Sequence, residues 1–392
     1  MKQFGQAIHS EWRLDPGVTY LNHGTVGATP RRVLDAQAAI RDEIEREPSR
    51  YLLRELTSVV VGQPTTRRPR MRQTADVVAP LFGVQPGDLV FVDNATTGAN
   101  AVLRSFPLEP GDEILVTDLG YGGVTYAAMH AARERGASVR TAVIPYPVRS
   151  AADVVDACAA AIGPRTRLAV IDHITSQSAL ILPLAEIAAV CRARGVAVLA
   201  DGAHAPGAIP LDIPSLGVDW YIANLHKWMW VPRSSGILWA PAERQQGLHP
   251  AVISWGLDQG FTAEFDLPGT RDPSAHLAAP AAIAMLQEFG MTEVQGYNHS
   301  LAWTGAQRLA ERWHTQFDTP EALVGTMATV ALPAAAGQTI EDAARLRDRL
   351  FEERIEVQMH AVGGGVHVRI SGQIYNTMDD VDRLAEAVLR LI

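Results

Sequence analysis

Short apolar runs alternate with helical segments over about residues 75 to 240, and this alternation restricts the folds open to the chain. The runs are rich in Val, Ile, Leu and Ala, as is typical of strands buried on both faces. They span residues 89–92, 113–117, 139–144, 168–172, 197–200, 220–223 and 236–239. Helical patterns, such as 151–161 and 183–194, separate several of them. We therefore predict an α/β fold with a mostly parallel seven-stranded sheet and helices on both faces.

The last third of the sequence has a different pattern. After a loop-rich bridge at 241–273, helical segments at 278–289, 300–317 and 340–354 flank short β runs at 327–331 and 366–370. This pattern predicts a smaller C-terminal α+β domain. We place the large domain at residues 18–260 and assign residues 1–17 and 261–392 to the smaller domain.

Composition argues against several classes of protein, namely nucleic-acid-binding, membrane-spanning and secreted ones. The chain has 392 residues, with 34 basic and 43 acidic side chains and a formal charge of −9, which argues against a nucleic-acid or anionic-membrane surface. No apolar stretch reaches transmembrane length, and the N-terminus does not read as a signal peptide. Cys158 and Cys191 lie in alanine-rich helical patterns and are expected to be buried thiols. We therefore expect a cytoplasmic location.

Chemically useful side chains follow the predicted strands. In open parallel sheets, ligands bind at the carboxyl ends of the strands. The residues in those positions are 93–97, 118–123, 173–177, 201–204 and 224–227. A binding site is therefore expected at that edge of the sheet.

Three of these segments have more than one interpretation when each is taken alone. The run 94–98 opens a helix and is either an anion site or an N-cap. For Asp201 the competing interpretations are a cofactor anchor, a ribose or metal ligand, an acid–base group and a capping residue. Lys227 is an imine-forming lysine or a lysine that extends to solvent beside tryptophans.

Together the three segments favour one cofactor. Pyridoxal 5′-phosphate requires a phosphate cradle, a carboxylate for its protonated pyridine nitrogen and a lysine that forms an imine. Asp201 and Lys227 supply the last two, and 227 − 201 gives a separation of 26 residues. No GxxxxGK[ST] loop, Rossmann glycine pattern or closely spaced set of zinc ligands is present. We predict a pyridoxal phosphate enzyme without a metal site.

These residues belong to a set of motifs that resembles the class V aminotransferase superfamily of fold type I, and within it the branch named for isopenicillin N epimerase. The motifs are Tyr20-Leu21-Asn22-His23-Gly24, Asn94-Ala95-Thr96, His173-Ile174-Thr175-Ser176, Asp201-Gly202-Ala203-His204, His226-Lys227-Trp228 and Gly269-Thr270-Arg271-Asp272-Pro273. The resemblance covers about residues 18 to 372.

The resemblance implies roles for individual residues around the cofactor. Asp201 would hold the pyridine nitrogen, His204 the phenolic oxygen, and Tyr121 would stack on the ring. Ser176 stands where relatives often carry an asparagine that touches the phenolic oxygen. The implied phosphate contacts are Ala95, Thr96, Asn224 and His226.

The resemblance also implies contacts to the substrate and to a second subunit. Arg369 would bind the substrate carboxylate, although a surface arginine at a strand edge is the alternative. Asn22 and His23 are further expected substrate contacts. Thr270 would reach the phosphate of a partner subunit, so we expect a homodimer with active sites at its interface. The basic run at 67–72 is interpreted as a solvated or interface loop.

The choice of reaction stays open among several outcomes. A cysteine desulfurase needs a mobile cysteine before the carboxylate arginine, and residues 351–369 contain none. The remaining reactions on an amino acid are β-elimination from an S-substituted L-cysteine, epimerisation, and transamination or a decarboxylating variant. We expect β-elimination; a second base opposite Lys227, such as Tyr121 or His23, would favour epimerisation. A non-catalytic paralogue that binds the cofactor is the alternative from another class, and the intact set Asp201, His226, Lys227 and Arg369 argues against it.

Overall fold

The computed structural model describes residues 4–55 and 68–392. Its strands are β1 (Thr19–Tyr20), β2 (Leu89–Val92), β3 (Glu113–Thr117), β4 (Ser138–Ala142), β5 (Thr166–Asp172), β6 (Ala197–Asp201), β7 (Trp220–Asn224), β8 (Gly236–Trp239), β9 (Met327–Ala331), β10 (Ile355–Glu356), β11 (Gln358–Val362) and β12 (Gly365–Ser371). Its α-helices are α1 (His23–Val26), α2 (Arg31–Arg46), α3 (Arg70–Val78), α4 (Ala95–Ser105), α5 (Gly122–Glu134), α6 (Ala151–Ala161), α7 (Leu184–Ala193), α8 (Phe261–Asp266), α9 (Ser274–Leu277), α10 (Ala279–Phe289), α11 (Met291–Trp313), α12 (Ile340–Glu352) and α13 (Met378–Leu391).

A seven-stranded sheet in the order β2-β8-β7-β6-β5-β3-β4 forms the centre of the larger part. The pairs from β7 to β4 are parallel, whereas β8 runs antiparallel to both β7 and β2. Successive side chains of a strand point to opposite faces, so the sheet separates two cores. Ala169 and Ile171 face one core, whereas Leu168 and Val170 face the other. The predicted α/β fold with a mostly parallel sheet is confirmed.

A three-stranded antiparallel sheet, β11-β12-β9, forms the second structural unit. Helices α11, α12 and α13 cover one face of it, and apolar side chains such as Leu309, Leu346, Val368 and Leu384 fill the space between. Strand β1 pairs in parallel with β10. The N-terminal residues of the predicted large domain therefore contact this second unit.

The predicted boundary at residue 260 stays a prediction. Helices α8 and α10 follow that boundary in sequence, and both contact the larger part: α8 packs on β2 and α10 packs on α3. Ile283 and Leu286 of α10 belong to the core of the large sheet.

Two local predictions differ from the structure. The long helix begins at Met291 rather than at residue 300, because Gly290 at φ 86° separates it from α10 and its polar first turns carry little apolar periodicity. The basic run at 67–72 is only partly a solvated loop where the structure describes it, because Arg68 is exposed ahead of α3 whereas residues 70–72 form its first turn. Arg72 is buried on α3 and forms an ion pair with Asp266, with a 2.8 Å N–O distance. Arg67 lies outside the described residues.

No helix in residues 4–55 and 68–392 combines the length and apolarity needed to cross a bilayer.

Candidate active site

A cavity of about 770 Å³ opens at the carboxyl edge of the large sheet and extends to the small sheet. Antiparallel β8 lies between β7 and β2, so β2 runs in the same direction as the parallel strands and its carboxyl end meets theirs. The cavity brings together ten of the residues selected from the sequence: Ala95, Thr96, Tyr121, Ser176, Asp201, His204, Asn224, His226, Lys227 and Arg369.

Lys227 lies just beyond β7, and its amine faces this cavity. Its Nζ is 2.9 Å from Nε2 of His204. Burial, reinforced by the positive charge of Arg369, lowers the pKa of Lys227 to about 7. Burial also lowers the pKa of His204 well below its ordinary range, so this ring is neutral. A substantial share of the Lys227 amine is therefore unprotonated near neutral pH and available as a nucleophile or base.

Asp201 is the last residue of β6 and has one carboxylate oxygen free for a ligand. Its Oδ1 accepts a hydrogen bond from the Ala203 amide at 3.0 Å. Its Oδ2 is buried and has no hydrogen-bond partner among the described residues. Gly202 allows this close packing, because a Cβ there would lie 2.2 Å from the Tyr221 ring. The free oxygen suits a protonated pyridine nitrogen, so this part of the cavity fits pyridoxal phosphate.

Asp172 is a second buried carboxylate that the sequence interpretation missed. It ends β5 as Asp201 ends β6, and the two residues are register partners. Burial raises the pKa of Asp172, and the charge of Asp201 raises it further. Asp172 Oδ1 accepts a hydrogen bond from the Tyr121 amide at 3.2 Å. Two adjacent strands that both end in Asp were the sequence signal for this pair.

The start of α4 lies at this cavity, and two of its first three amides have hydrogen-bond partners within the protein. The Ala95 amide donates to Asn224 Oδ1, and the Thr97 amide donates to Asn94 Oδ1, both at 2.9 Å. Of the first three amides of the helix, that of Thr96 is left to meet an external anion. The predicted Ala95 amide contact to phosphate would require the Asn224 bond to break.

His226 is held beside this helix start in a defined tautomer. Its Nδ1 donates to the Ser235 carbonyl at 2.9 Å, and burial lowers the pKa of the ring to about 4. In the neutral ring, Nε2 carries a lone pair rather than a proton. A hydrogen bond from His226 to a phosphate therefore requires protonation of Nε2 when the anion binds.

Arg369 is a buried cation on β12 that no described carboxylate neutralises. Its side chain is 2% exposed. Nη1 donates to the Ser176 carbonyl at 2.6 Å, and Nη2 donates to Thr25 Oγ1 at 2.7 Å and to Asn22 Oδ1 at 3.4 Å. Its Nε is buried without a partner among the described residues. Because burial of an unpaired charge is costly, this guanidinium suits the carboxylate of a ligand.

Tyr121 and Ser176 also line the cavity. Tyr121 precedes α5 and keeps 46% of its surface exposed, which leaves its ring accessible for stacking. Ser176 contacts Arg369 through its carbonyl oxygen. Their roles toward a cofactor remain predictions.

Three predicted site residues do not line this cavity. His23 is fully buried; its Nε2 donates to the Lys227 carbonyl at 3.1 Å, and its Nδ1 lies 2.9 Å from the Tyr375 hydroxyl. Asn22 accepts from Arg369 and donates to Glu356, which makes it a support for the arginine. Thr270 lines a separate pocket of about 210 Å³.

Comparisons with known proteins identify the family of this chain. The model of the family Aminotransferase class-V matches residues 57–384. Isopenicillin N epimerase of Streptomyces clavuligerus is 33% identical over 96% of this chain and 95% of its own length. Putative L-cysteine desulfhydrase 1 of Oryza sativa subsp. japonica is also 33% identical, over 96% of this chain and 84% of its own length.

Solved structures show the same fold. A complex between the cystine C–S lyase C-DES and cysteine persulfide superposes with a TM-score of 0.78 at 24% identity, covering 96% of this chain and 98% of that one. The cysteine desulfurase CsdA of Escherichia coli gives a TM-score of 0.76 at 20% identity, covering 100% of this chain and 99% of that one. The chain therefore belongs to the class V aminotransferase family, and it is a pyridoxal phosphate-dependent enzyme, as its motifs predicted.

Proposed function

We propose that the protein catalyses β-elimination from an S-substituted L-cysteine, with thiol, pyruvate and ammonia as products. The observation that carries this proposal is the position of a buried amine of lowered pKa, Lys227, in a cavity that also holds the uncompensated guanidinium of Arg369. These two groups suit removal of a proton from the Cα of an amino acid whose carboxylate is bound.

Eight of the residues that line the cavity have a proposed task. Bound pyridoxal phosphate supplies an electron sink for the bonds of Cα. Asp201 would hold the protonated ring nitrogen, His204 the phenolic oxygen, and Tyr121 would cover the ring. Thr96, Asn224 and His226 would hold the phosphate. Arg369 would bind the α-carboxylate and so present the Cα–H bond to Lys227, which takes the proton.

The position of His23 favours elimination over epimerisation. Two-base epimerisation needs a proton donor on the face opposite Lys227. Both ring nitrogens of His23 are engaged inside the protein, and the side chain does not line the cavity. Elimination needs one base and a leaving sulfur. The L-cysteine desulfhydrases among the relatives support this choice, since their name describes removal of sulfur from cysteine.

Epimerisation is the second candidate, because Tyr121 lines the cavity and two isopenicillin N epimerases are 33% and 34% identical to the chain. The Tyr121 hydroxyl would then be the second proton donor. A desulfurase reaction is disfavoured, because residues 351–369 contain no cysteine and the two free cysteines are buried on α6 and α7.

We further propose a homodimer in which Thr270 reaches the cofactor phosphate of the partner subunit. Val252 lines the same pocket as Thr270, and it continues into exposed apolar side chains at Ile253 and Trp255. Trp255 is 71% exposed, which is typical of a surface covered by another protein. A cytoplasmic location is also proposed, because both cysteines are unpaired.

The test is incubation of the cofactor-loaded protein in D2O with L-amino acids, including S-substituted L-cysteines, followed by proton NMR. Pyruvate and free thiol from a cysteine conjugate would support elimination. Deuterium at Cα with an intact side chain would contradict it and indicate epimerisation or a stalled transamination, which chiral analysis separates. Cofactor-loaded Lys227→Ala is the control and should release neither product.

A further inference from the structure

One wall of the active-site cavity carries polar groups that have no task in removing the Cα proton. In the antiparallel pair β11–β12, Gln358 lies opposite Arg369 and His360 lies opposite His367. Opposite residues share a face of the sheet, as do alternate residues along a strand. Gln358, His360 and Arg369 therefore stand on one face, and all three line the cavity.

His360 carries an unsatisfied polar atom beside the cavity that its side chain lines. Its Nε2 is buried and has no hydrogen-bond partner among the described residues. Burial, followed by the charges of Arg369 and His367, lowers the pKa of His360 to about 4, so the imidazole is neutral near pH 7. A buried polar atom without a partner costs free energy unless a ligand or water satisfies it.

The spacing places His360 beyond the α-carboxylate site. His360 is the diagonal neighbour of Arg369, and such neighbours are separated by ~7–8 Å. In an S-substituted cysteine, three bonds separate the carboxylate carbon from the sulfur, and the substituent extends further. A substrate whose carboxylate meets Arg369 can thus bring its sulfur substituent to His360 and Gln358. The positive charge of Arg369 favours acceptor oxygens in this region over donor groups.

We propose that His360 and Gln358 form a subsite for a sulfur substituent that bears an oxygen acceptor, with a carboxylate as the clearest case. The inference rests on the proposed function, because it takes the substrate to be an S-substituted L-cysteine. Imidazole N–H and amide N–H groups donate to the acceptor oxygen. The enzyme then selects conjugates with a polar substituent over S-alkyl cysteines of the same size.

The test measures binding separately from turnover. The protein is cofactor-loaded Lys227→Ala, in which removal of the Cα proton is blocked, and the ligands are S-carboxymethyl-L-cysteine and its apolar isostere S-isobutyl-L-cysteine. Dissociation constants are obtained from the change in cofactor absorbance. The parent should bind the carboxymethyl ligand at least about tenfold more tightly, as a hydrogen bond to a charged group implies.

Variants of the subsite are compared by this ratio, so a general loss of affinity does not mimic the effect. His360→Leu should bring the ratio close to one, and His360→Gln should restore part of it. His367→Leu is the matched control, because His367 shares the sheet face but lines a different pocket of about 300 Å³. Its ratio should match that of the parent.

An equal affinity of the parent for both ligands would overturn the proposal, as would a ratio that His360→Leu leaves unchanged or that His367→Leu reduces equally. Failure of the proposed reaction would appear elsewhere, as the absence of pyruvate from the wild-type protein.

Discussion

Replacing Arg369 with lysine should weaken recognition of the substrate carboxylate while keeping a positive charge in the cavity. The guanidinium has five N–H donors, and three of them point to Ser176, Thr25 and Asn22. The difference, 5 − 3, leaves two donors for a carboxylate. Lysine cannot reproduce a planar fork of donors, because its ammonium acts as a point charge.

The expected size of the loss follows from that count. A hydrogen bond to a charged group contributes ~1.5–3 kcal/mol, and the lysine variant loses about one of the two. The expected decrease in kcat/KM for an L-cysteine conjugate is therefore about 10-fold to 150-fold. Loading with the cofactor should be retained, because the described contacts of Arg369 do not involve the start of α4.

The assay compares two ligands of the same protein. The L-cysteine conjugate is the substrate, and the cysteamine conjugate, which has the same thioether without the carboxylate, is measured as a competitive inhibitor. Arg140→Lys is the control, since Arg140 forms an exposed ion pair with Glu113 on the large sheet. An equal loss for both ligands in Arg369→Lys, or no loss for the substrate, would refute the assignment of the carboxylate site.

Three further predictions follow from the buried groups. The apoprotein should take up pyridoxal phosphate faster as pH rises through about 7, because the pKa of Lys227 is lowered to that value and the neutral amine reacts. The rate is read from cofactor absorbance, and a midpoint near pH 10 would contradict this prediction. Gly202→Ala should lower the free energy of unfolding by about 1–3 kcal/mol, because the Cβ of the new alanine would lie 2.2 Å from the Tyr221 ring. Unchanged thermal unfolding and cofactor affinity would argue against this packing. Tyr375→Phe should lower the free energy of unfolding by about 1–3 kcal/mol, because buried His23 loses its hydrogen-bond partner. The stereochemistry of the product should stay unchanged, and a switch in stereochemistry would show that His23 reaches the substrate.

The cofactor and the two residues proposed to hold it were predictable because they depend on local order along the chain. Asp201 and Lys227 each follow an apolar run, and parallel strands bring their carboxyl ends to one edge of the sheet. Strand positions were predicted within one or two residues for the same reason, since an apolar run bounded by turns is a local signal. The family motifs then placed Arg369 in the site, although it lies far along the chain.

Other properties required the tertiary structure. His360 lies outside the β runs predicted from the sequence, and only the pairing of β11 with β12 shows that it shares a face with Arg369. The sequence placed His23 near the site, but the fold commits both of its ring nitrogens to Tyr375 and the Lys227 backbone.

The amino-acid sequence by itself thus determined the sheet, the family, the cofactor and the order along the chain of the residues proposed to hold it. Those features follow from apolar periodicity and from residue types at strand ends. The tertiary structure decided which polar groups line the cavity, which form hydrogen bonds within the protein and which have no hydrogen-bond partner. It did so because the register between distant strands and the burial of each side chain depend on packing across the whole chain.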